Sequence, residues 1–360
     1  MASWFRKKTY PIGIDFGRSG IRLLQLAQNG DNLALIDAAS AQAPIELRNR
    51  SVELLQWRIE TISQLLKQGN FKGRKVVTGL PGSDIVAQHL LMDKMSADQL
   101  KAALPFAVGD KFPFPVNQSL LRHIVAGEVY EGDKVRQEVI VMAVPAVVMN
   151  HQMQIINQLK LEIEAINIEA LAVVDSFSHS DSIDDSAVMI VDLGYCSSKV
   201  VIAHAQEITF CRTVKLGVEN ICQSITSLMP MAQSQAEQRY IENSTGILSQ
   251  ENDANVAVAN EVLEAIEPIC DILVSELRSC IRYHDLMFAS QPVSKVVFVG
   301  GQARDKRFCQ NIARSLGLSA QIGDPLRKIE ISDNIPNDID PQNVNPQWTV
   351  AFGLSYNQRI

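Results

Sequence analysis

The chain has 360 residues, of which 46% are hydrophobic and 20% charged, with a formal net charge of -7. That length supports two or three domains with substantial cores, and without a basic stripe or aromatics interleaved with Lys and Arg the composition argues against nucleic acid as a partner. The six cysteines are scattered with no C-x-x-C spacing and read as small reduced core residues; no signal peptide opens the chain and no apolar run approaches the ~20 residues that cross a bilayer, so the expected location is cytoplasmic.

The leader Met1–Lys8 pairs two aromatics with three positive charges and reads as a frayed, solvated segment, the alternative being weak contact with an anionic membrane surface. Tyr10–Leu26 then reads as strand, tight turn, strand, with an Asp15-x-Gly17 corner. After the turn Asn29–Asn32, Leu33–Ala39 gives a third strand. Residues 51–68 carry Val52, Leu54, Leu55, Ile59, Ile62, Leu65 and Leu66 at helical spacing. A strand at Lys75–Leu80 ends on Pro81 and Gly82.

Residues 83–138 change character and read as a small inserted α+β module. Ile85–Leu91 is strand-like, and Ser96 with Gln99 forms a capping box opening a helix. Pro105 is expected to end or kink that helix, because it lacks an amide hydrogen and crowds the preceding turn. The Phe112–Pro115 run is expected to be extended. Leu120–Val125 and Glu138–Val144 are strands flanking a turn at Gly127–Gly132. A helix follows at Val147–Lys160, then Leu161–Ala170 leads into an apolar strand or buried turn continuing to Val174. The polar, acidic Ser178–Ser186 reads as the linker between two halves.

The second half repeats the first. Val188–Ile202 is again strand, acid-x-glycine turn and strand, with Asp192 and Gly194 standing where Asp15 and Gly17 stood, 177 residues earlier. A hairpin partner covers Glu207–Val214, and a helix covers 217–229. The interval 231–257 is polar with helix hints at Gln233–Tyr240. The longest helix is expected at Glu261–Met287, with Pro268 bending it or marking its start. Lys295–Ala303 is an apolar strand ending in Gly300-Gly301, followed by a helix through Phe308, Ile312 and Leu316 with Gly317 as its C-cap. Residues 329–345 read as loop, and Trp348–Leu354 as a helix against one of the sheets.

An Asp in a turn is by itself ordinary. Two such turns, each between apolar strands and followed by a strand ending in a double glycine, point to chemistry. A glycine two places after the acid lets the backbone approach a phosphate, and the following amides can cradle the anion. The acids cannot bind phosphate; Asp15 and Asp192 make sense as ligands of a magnesium ion, often through its water. Gly300 and Gly301 leave room for a flat purine and ribose. The expected site is a nucleotide in a cleft between two halves.

These residues resemble the actin-like ATPase superfamily in its PilM-like, type IV pilus assembly branch, with the cell-division protein FtsA more distant. The resemblance runs over nearly the whole chain: the opening IGIDFG, V-V-T-G-L-P, P-F-P at 113–115, A-V-P at 143–145, Asp175, V-D-L-G at 191–194, Arg212 ahead of Gly217, and V-G-G-x-A at 299–303. Glu276 and Tyr283 in the long helix, and Gly323-Asp-Pro325, share it. It implies an α/β actin-like fold of two RNase H-like domains. The first would span 1–82 and 139–180 around an FtsA-like subdomain at 83–138. The second would span 187–230 and 291–345 around an adenine-side subdomain at 231–290, with a C-terminal helix at 346–360.

It further implies ATP and Mg2+ held by Asp15, Gly17, Arg18, Ser19, Arg22, Asp192, Gly194, Ser197, Gly217, Glu276, Gly300 and Gly301. Asp175, placed at the end of its strand, is the one candidate to orient water for hydrolysis, and its rival role is a turn or helix cap. The implied job is a cytoplasmic scaffold, recruited to the inner membrane, that grips the N-terminal tail of a single-pass inner-membrane protein resembling PilN and links it to other pilus assembly components. Whether the chain forms filaments, rings or dimers stays open. The chain departs from the family pattern at Arg22 (commonly Lys), Tyr195 (commonly small), Val218 (glycine), Cys222 (threonine) and Ser279 (arginine). These departures keep a nucleotide-free adaptor as an alternative. A small-molecule kinase is the third reading, although no acid-rich sugar site follows the turns.

Overall fold

β1 (Thr9–Phe16), β2 (Gly20–Asn29) and β3 (Asn32–Gln42) form a meander, because their apolar residues face both sides of the sheet and short turns join them. The computed structural model describes residues 8–181, 186–245, 253–331, 336 and 338–357. Most of the N-terminal leader, the middle of the acidic linker (182–185) and part of the polar interval after Tyr240 lie outside them. β1 pairs antiparallel with β2 and parallel with β4 (Lys75–Leu80), which pairs with β8 (Glu162–Ile168). A two-residue strand, β14 (Ile329–Glu330), completes this sheet on the outer edge of β3, within a stretch expected to be loop. α1 (Ser51–Gln68) and α3 (Ala146–Gln158) cover one face, burying Ile62, Ile155 and Ile156 against Ile12, Ile14 and Leu23. α9 (Thr349–Tyr356) covers the other and buries Phe352 against Leu24 and Leu26.

The second sheet has the same logic. β9 (Ala187–Leu193) pairs antiparallel with β10 (Ser198–His204) and parallel with β12 (Val293–Val299); β11 (Glu207–Val214) and β13 (Ser319–Ile322) form its edges. α5 (Val218–Leu228), α7 (Asp253–Met287) and α8 (Lys306–Leu316) pack on one face, with α6 (Gln233–Ser244) beside them. Gly317 caps α8 in the left-handed region, as expected.

Between the sheets lies α4 (Glu169–Ser180), whose Ala172, Val173, Val174 and Phe177 are buried among Val77, Val188, Ile190, Val350 and Leu354. This corrects the reading of an apolar strand or buried turn running to Val174. A helix enclosed on every side has no polar face, so periodicity cannot separate it from a buried strand. Asp175 therefore sits in mid-helix, 3% exposed, and not at a strand end.

The inserted module contains β5 (Val86–Asp93), β6 (Ser119–Glu131), β7 (Lys134–Pro145) and α2 (Ala97–Val108), the sheet order being β5-β7-β6; its sheet runs on past the expected boundary at 138, because β7 is one continuous strand. Ser96 and Gln99 form the expected capping box, and Leu100, Leu104 and Val108 bury α2 on Val139 and Val141. Pro105 does not end α2, and Pro268 does not start α7. Both prolines are exposed, so each carbonyl left without its amide partner faces water instead of a core. The module is also tied to the second half. Buried Glu138 accepts from Tyr283 Oη at 2.7 Å on α7 and lies 2.9 Å from His89 Nδ1. The His89 ring in turn stacks on Phe210 of β11.

Candidate functional site

Both acid-x-glycine turns open onto one cleft of about 880 Å³ between the two sheets. The first turn, Gly17–Ser19, is held from behind: Arg58 of α1 donates to the Gly17 carbonyl at 3.2 Å and Arg18 to the Arg48 carbonyl at 3.1 Å. Burial and the nearby Arg18 lower the Arg58 pKa to about 10, which leaves it charged at neutral pH. The second turn is anchored on α5. The amides of Val218 and Glu219 donate to the carbonyls of Gly194 and Tyr195 at 3.3 and 2.8 Å. Those carbonyls are thereby committed to the helix N-terminus, where free amides need acceptors. A side chain at Gly217 would collide with the same two carbonyls.

Strand register then sets the charges. Asp15 lies opposite Arg22 in the β1–β2 pair, and Asp192 lies opposite Lys199 in the β9–β10 pair. Acid and base are seven positions apart in both hairpins. Arg22 Nη1 stands 3.6 Å from Asp15 Oδ2. Lys199 Nζ stands 2.7 Å from Asp192 Oδ2 and 2.5 Å from Glu169 Oε2, the latter from the first residue of α4. Glu169 also accepts from the Gly82 amide at 2.7 Å.

Burial raises the pKa of Asp15, against the pull of Arg22 and Lys199. Burial likewise pushes Glu169 up to about 7, with Asp15 and Asp192 adding to it and Lys199 opposing. Burial opposes the Lys199 charge as well, but Asp192, Glu169 and Asp15 together outweigh it and raise the Lys199 pKa. The carboxylates Asp15, Glu169 and Asp192 thus share the cations Lys199 and Arg22.

Beside the cleft the two halves are joined by Arg48, which follows β3. Its guanidinium reaches Glu237 of α6 at 2.8 Å and lies 4.4 Å from the centre of the Tyr195 ring, whose hydroxyl donates to Glu237 at 3.4 Å. Arg48 is 4% exposed. The bulky residue at 195 is accordingly one part of a clasp between halves. On the floor, Gly300 has φ +86, and a side chain there would collide with the Asp192 carboxylate and the Leu193 backbone.

Of the residues singled out in the sequence, Asp15, Gly17, Arg18, Ser19, Arg22, Asp192, Gly194, Ser197, Gly300 and Gly301 line this cleft together. Gly217 lies directly behind the second turn. Glu276 does not belong with them: it pairs with Arg212 at 2.9 Å on a partly exposed surface, because its position on α7 faces β11 and not the turns. Asp175 is absent from the lining too, held inside the core by α4. Glu169, Lys199, Arg48 and Glu237 carry no motif and were not anticipated. The repeated acid–base spacing of seven was the available signal for Lys199.

The donor set does not fit a magnesium ion ligated directly by Asp192. Mg2+ needs oxygens at about 2.0–2.1 Å in near-octahedral array, yet Asp192 and Glu169 already close on an ammonium. Two unit charges 4 Å apart interact by about 4 kcal/mol at an effective dielectric of 20, and a divalent ion beside Lys199 would meet about twice that repulsion. Among the described residues no group of three or more His, Cys, Asp or Glu is arranged to hold a metal.

The family model for type IV pilus assembly protein PilM matches residues 13–359. The chain belongs to the PilM family. No curated protein matches it. Among solved structures, it is similar to a chain of the "PilM-PilN type IV pilus biogenesis complex", at TM-score 0.78 and 18% identity over 97% of this chain and 98% of that one. It is also similar to the ethanolamine utilization protein EutJ from Carboxydothermus hydrogenoformans, at TM-score 0.57 and 14% identity over 96% and 89%. The fold is the actin-like one anticipated from the sequence, and the chain is a type IV pilus assembly protein of that fold. No helix among the described residues is long and apolar enough to cross a membrane.

Proposed function

We propose that this member of the PilM family is a cytoplasmic scaffold that clasps a nucleotide between its halves and grips the N-terminal tail of an inner-membrane protein resembling PilN, which recruits it to the membrane. The observation that carries the nucleotide half is the convergence of two acid-x-glycine turns on one cleft with Arg18, Arg22, Lys199, Arg304 and Arg307 in its lining. The amides of Gly17–Ser19 and Tyr195–Ser197 would hold the phosphates, the Gly194 amide being closed on the Ser197 carbonyl. The backbone at Gly300-Gly301 with Tyr240, Ile241 and Gln302 would enclose the nucleoside. When bound, ATP supplies polyphosphate charge that both turns can share, which draws the halves together.

The tail half rests on likeness over the full length, inserted module included, to a chain solved with PilN. β5 and β6 are the edge strands of that module and offer backbone pairing to an extended peptide. Gln99, Ala102 and Phe106 form an exposed stripe on α2, with Phe106 87% exposed and Met95 beside its start. An exposed aromatic of this size is a natural anchor for a partner. The test is titration of a synthetic PilN-like N-terminal peptide against wild type and Phe106→Asp. A loss of about tenfold or more in affinity is expected for a hot-spot aromatic. Equal affinity in the two proteins would remove the inserted module from the tail site.

A further inference from the structure

We propose that the Lys199 ammonium stands in for the divalent cation of this cleft, so that the chain binds a nucleoside polyphosphate without metal. The inference rests on the nucleotide reading above and concerns what neutralises the bound phosphates. Three observations carry it. The ammonium already closes the carboxylates that would otherwise be metal ligands, at 2.5 Å from Glu169 and 2.7 Å from Asp192. It sits at the position strand pairing places directly across from Asp192, as Arg22 sits across from Asp15, so each half brings its own cation to its own acid. The side chain is only 15% exposed, and swinging clear of Glu169 and Asp192 would leave both carboxylates buried and bare.

An ammonium has three N–H donors. Glu169 and Asp192 take one each, and the remaining donor is free for a phosphate oxygen at the inner end of the cleft. Arg18 and Arg22 add guanidinium forks beside the first turn, a geometry that matches phosphate oxygens in pairs. A protein that supplies these fixed positive charges has its phosphate neutralisation built into the fold. A metal ion arriving with the nucleotide would have to displace Lys199 or lie against it.

The test is equilibrium binding of ADP and ATP to the full chain by calorimetry, once in millimolar Mg2+ and once in EDTA. Wild type is expected to bind with dissociation constants that differ by less than about threefold between the two conditions, whereas loss of a required metal would cost far more than one tenfold step. In Lys199→Gln, binding in EDTA should fall by about tenfold or more, as expected when a charged phosphate contact is lost. Mg2+ should restore part of it, because Asp192 and Glu169 are then open to a metal. Wild-type binding that appears only with Mg2+ overturns the inference and leaves the nucleotide reading intact. Absence of binding in both conditions overturns both. Lys199→Arg, which keeps the charge, guards against a folding defect: it should retain metal-free binding, and its loss there alongside an intact melting transition counts against the proposal.

Discussion

At the first hairpin Arg22 stands 3.6 Å from Asp15 with about a quarter of its side chain exposed; at the second, Lys199 is 15% exposed and touches both Asp192 and Glu169. Beside the turns the two backbone frames share one register, Asp15 facing Arg22 as Asp192 faces Lys199. What differs is a third partner. α4 places Glu169 beside the second hairpin, and among the described residues no second carboxylate forms an ion pair with Arg22 at the first, so one pair stays adjustable and the other becomes a buried network. The lesson is that an internal repeat copies the scaffold of a site without copying its energetics, which follow from what the neighbouring helix contributes.

The comparison breaks most sharply at Lys199. Lys199→Met leaves Glu169 and Asp192 buried beside each other without a counter-charge, and is expected to cost about 3–5 kcal/mol in denaturant unfolding. Next comes the floor under the second hairpin. Gly300→Ala combines a positive φ with collision against Asp192 and is expected to cost roughly 2–4 kcal/mol in the same measurement. Glu237→Ala then isolates the buried Arg48 guanidinium and should cost about 1.5–3 kcal/mol, with Tyr195→Phe well below it.

The pH dependence sharpens the same contrast. Glu169 is raised from its ordinary 4.5 to about 7, so between those values the folded protein holds a proton that the unfolded chain releases. Its contribution therefore makes stability fall as pH rises through that window and level off above about 7. The difference between wild type and Glu169→Gln in unfolding free energy from pH 5 to 8 should trace this slope, of order 1–3 kcal/mol in total. A constant difference would mean that Glu169 is ionised throughout. A smaller effect belongs to the first hairpin: Arg22→Met removes a partly exposed cation from the buried Asp15 carboxylate and should cost about 1–3 kcal/mol. Equal losses for Arg22→Met and Lys199→Met would erase the distinction between the two turns.

Much of the architecture was legible because its signals are local. The two hairpins, α1, α5, the capping box at Ser96, the C-cap at Gly317 and the C-terminal helix all follow from alternation, helical spacing or cap chemistry. α4 was not, because Ala172, Val173 and Val174 are buried on all sides and carry no face to reveal a period. Of the options open at Pro105 and Pro268, a helix end at the first and a start at the second are ruled out, because exposure, which decides what a proline costs, is a tertiary fact. In the site, the turn residues were legible from glycine and acid spacing. Glu169, Arg48 and Glu237 were not, since each joins the cleft only when α4, the segment after β3 and α6 are brought together. Glu276 misled for the converse reason: a helical carboxylate matched to a family position, which packing turns towards Arg212.

The most direct test of the central claim, a polyphosphate clasped by both turns at once, is amide hydrogen exchange with and without ADP. Exchange at Gly17–Ser19 and at Tyr195–Ser197 is predicted to slow together, with the Arg48–Glu237 clasp protected in the same samples. Slowing at one turn alone, or at neither in a protein saturated with nucleotide, would contradict the account.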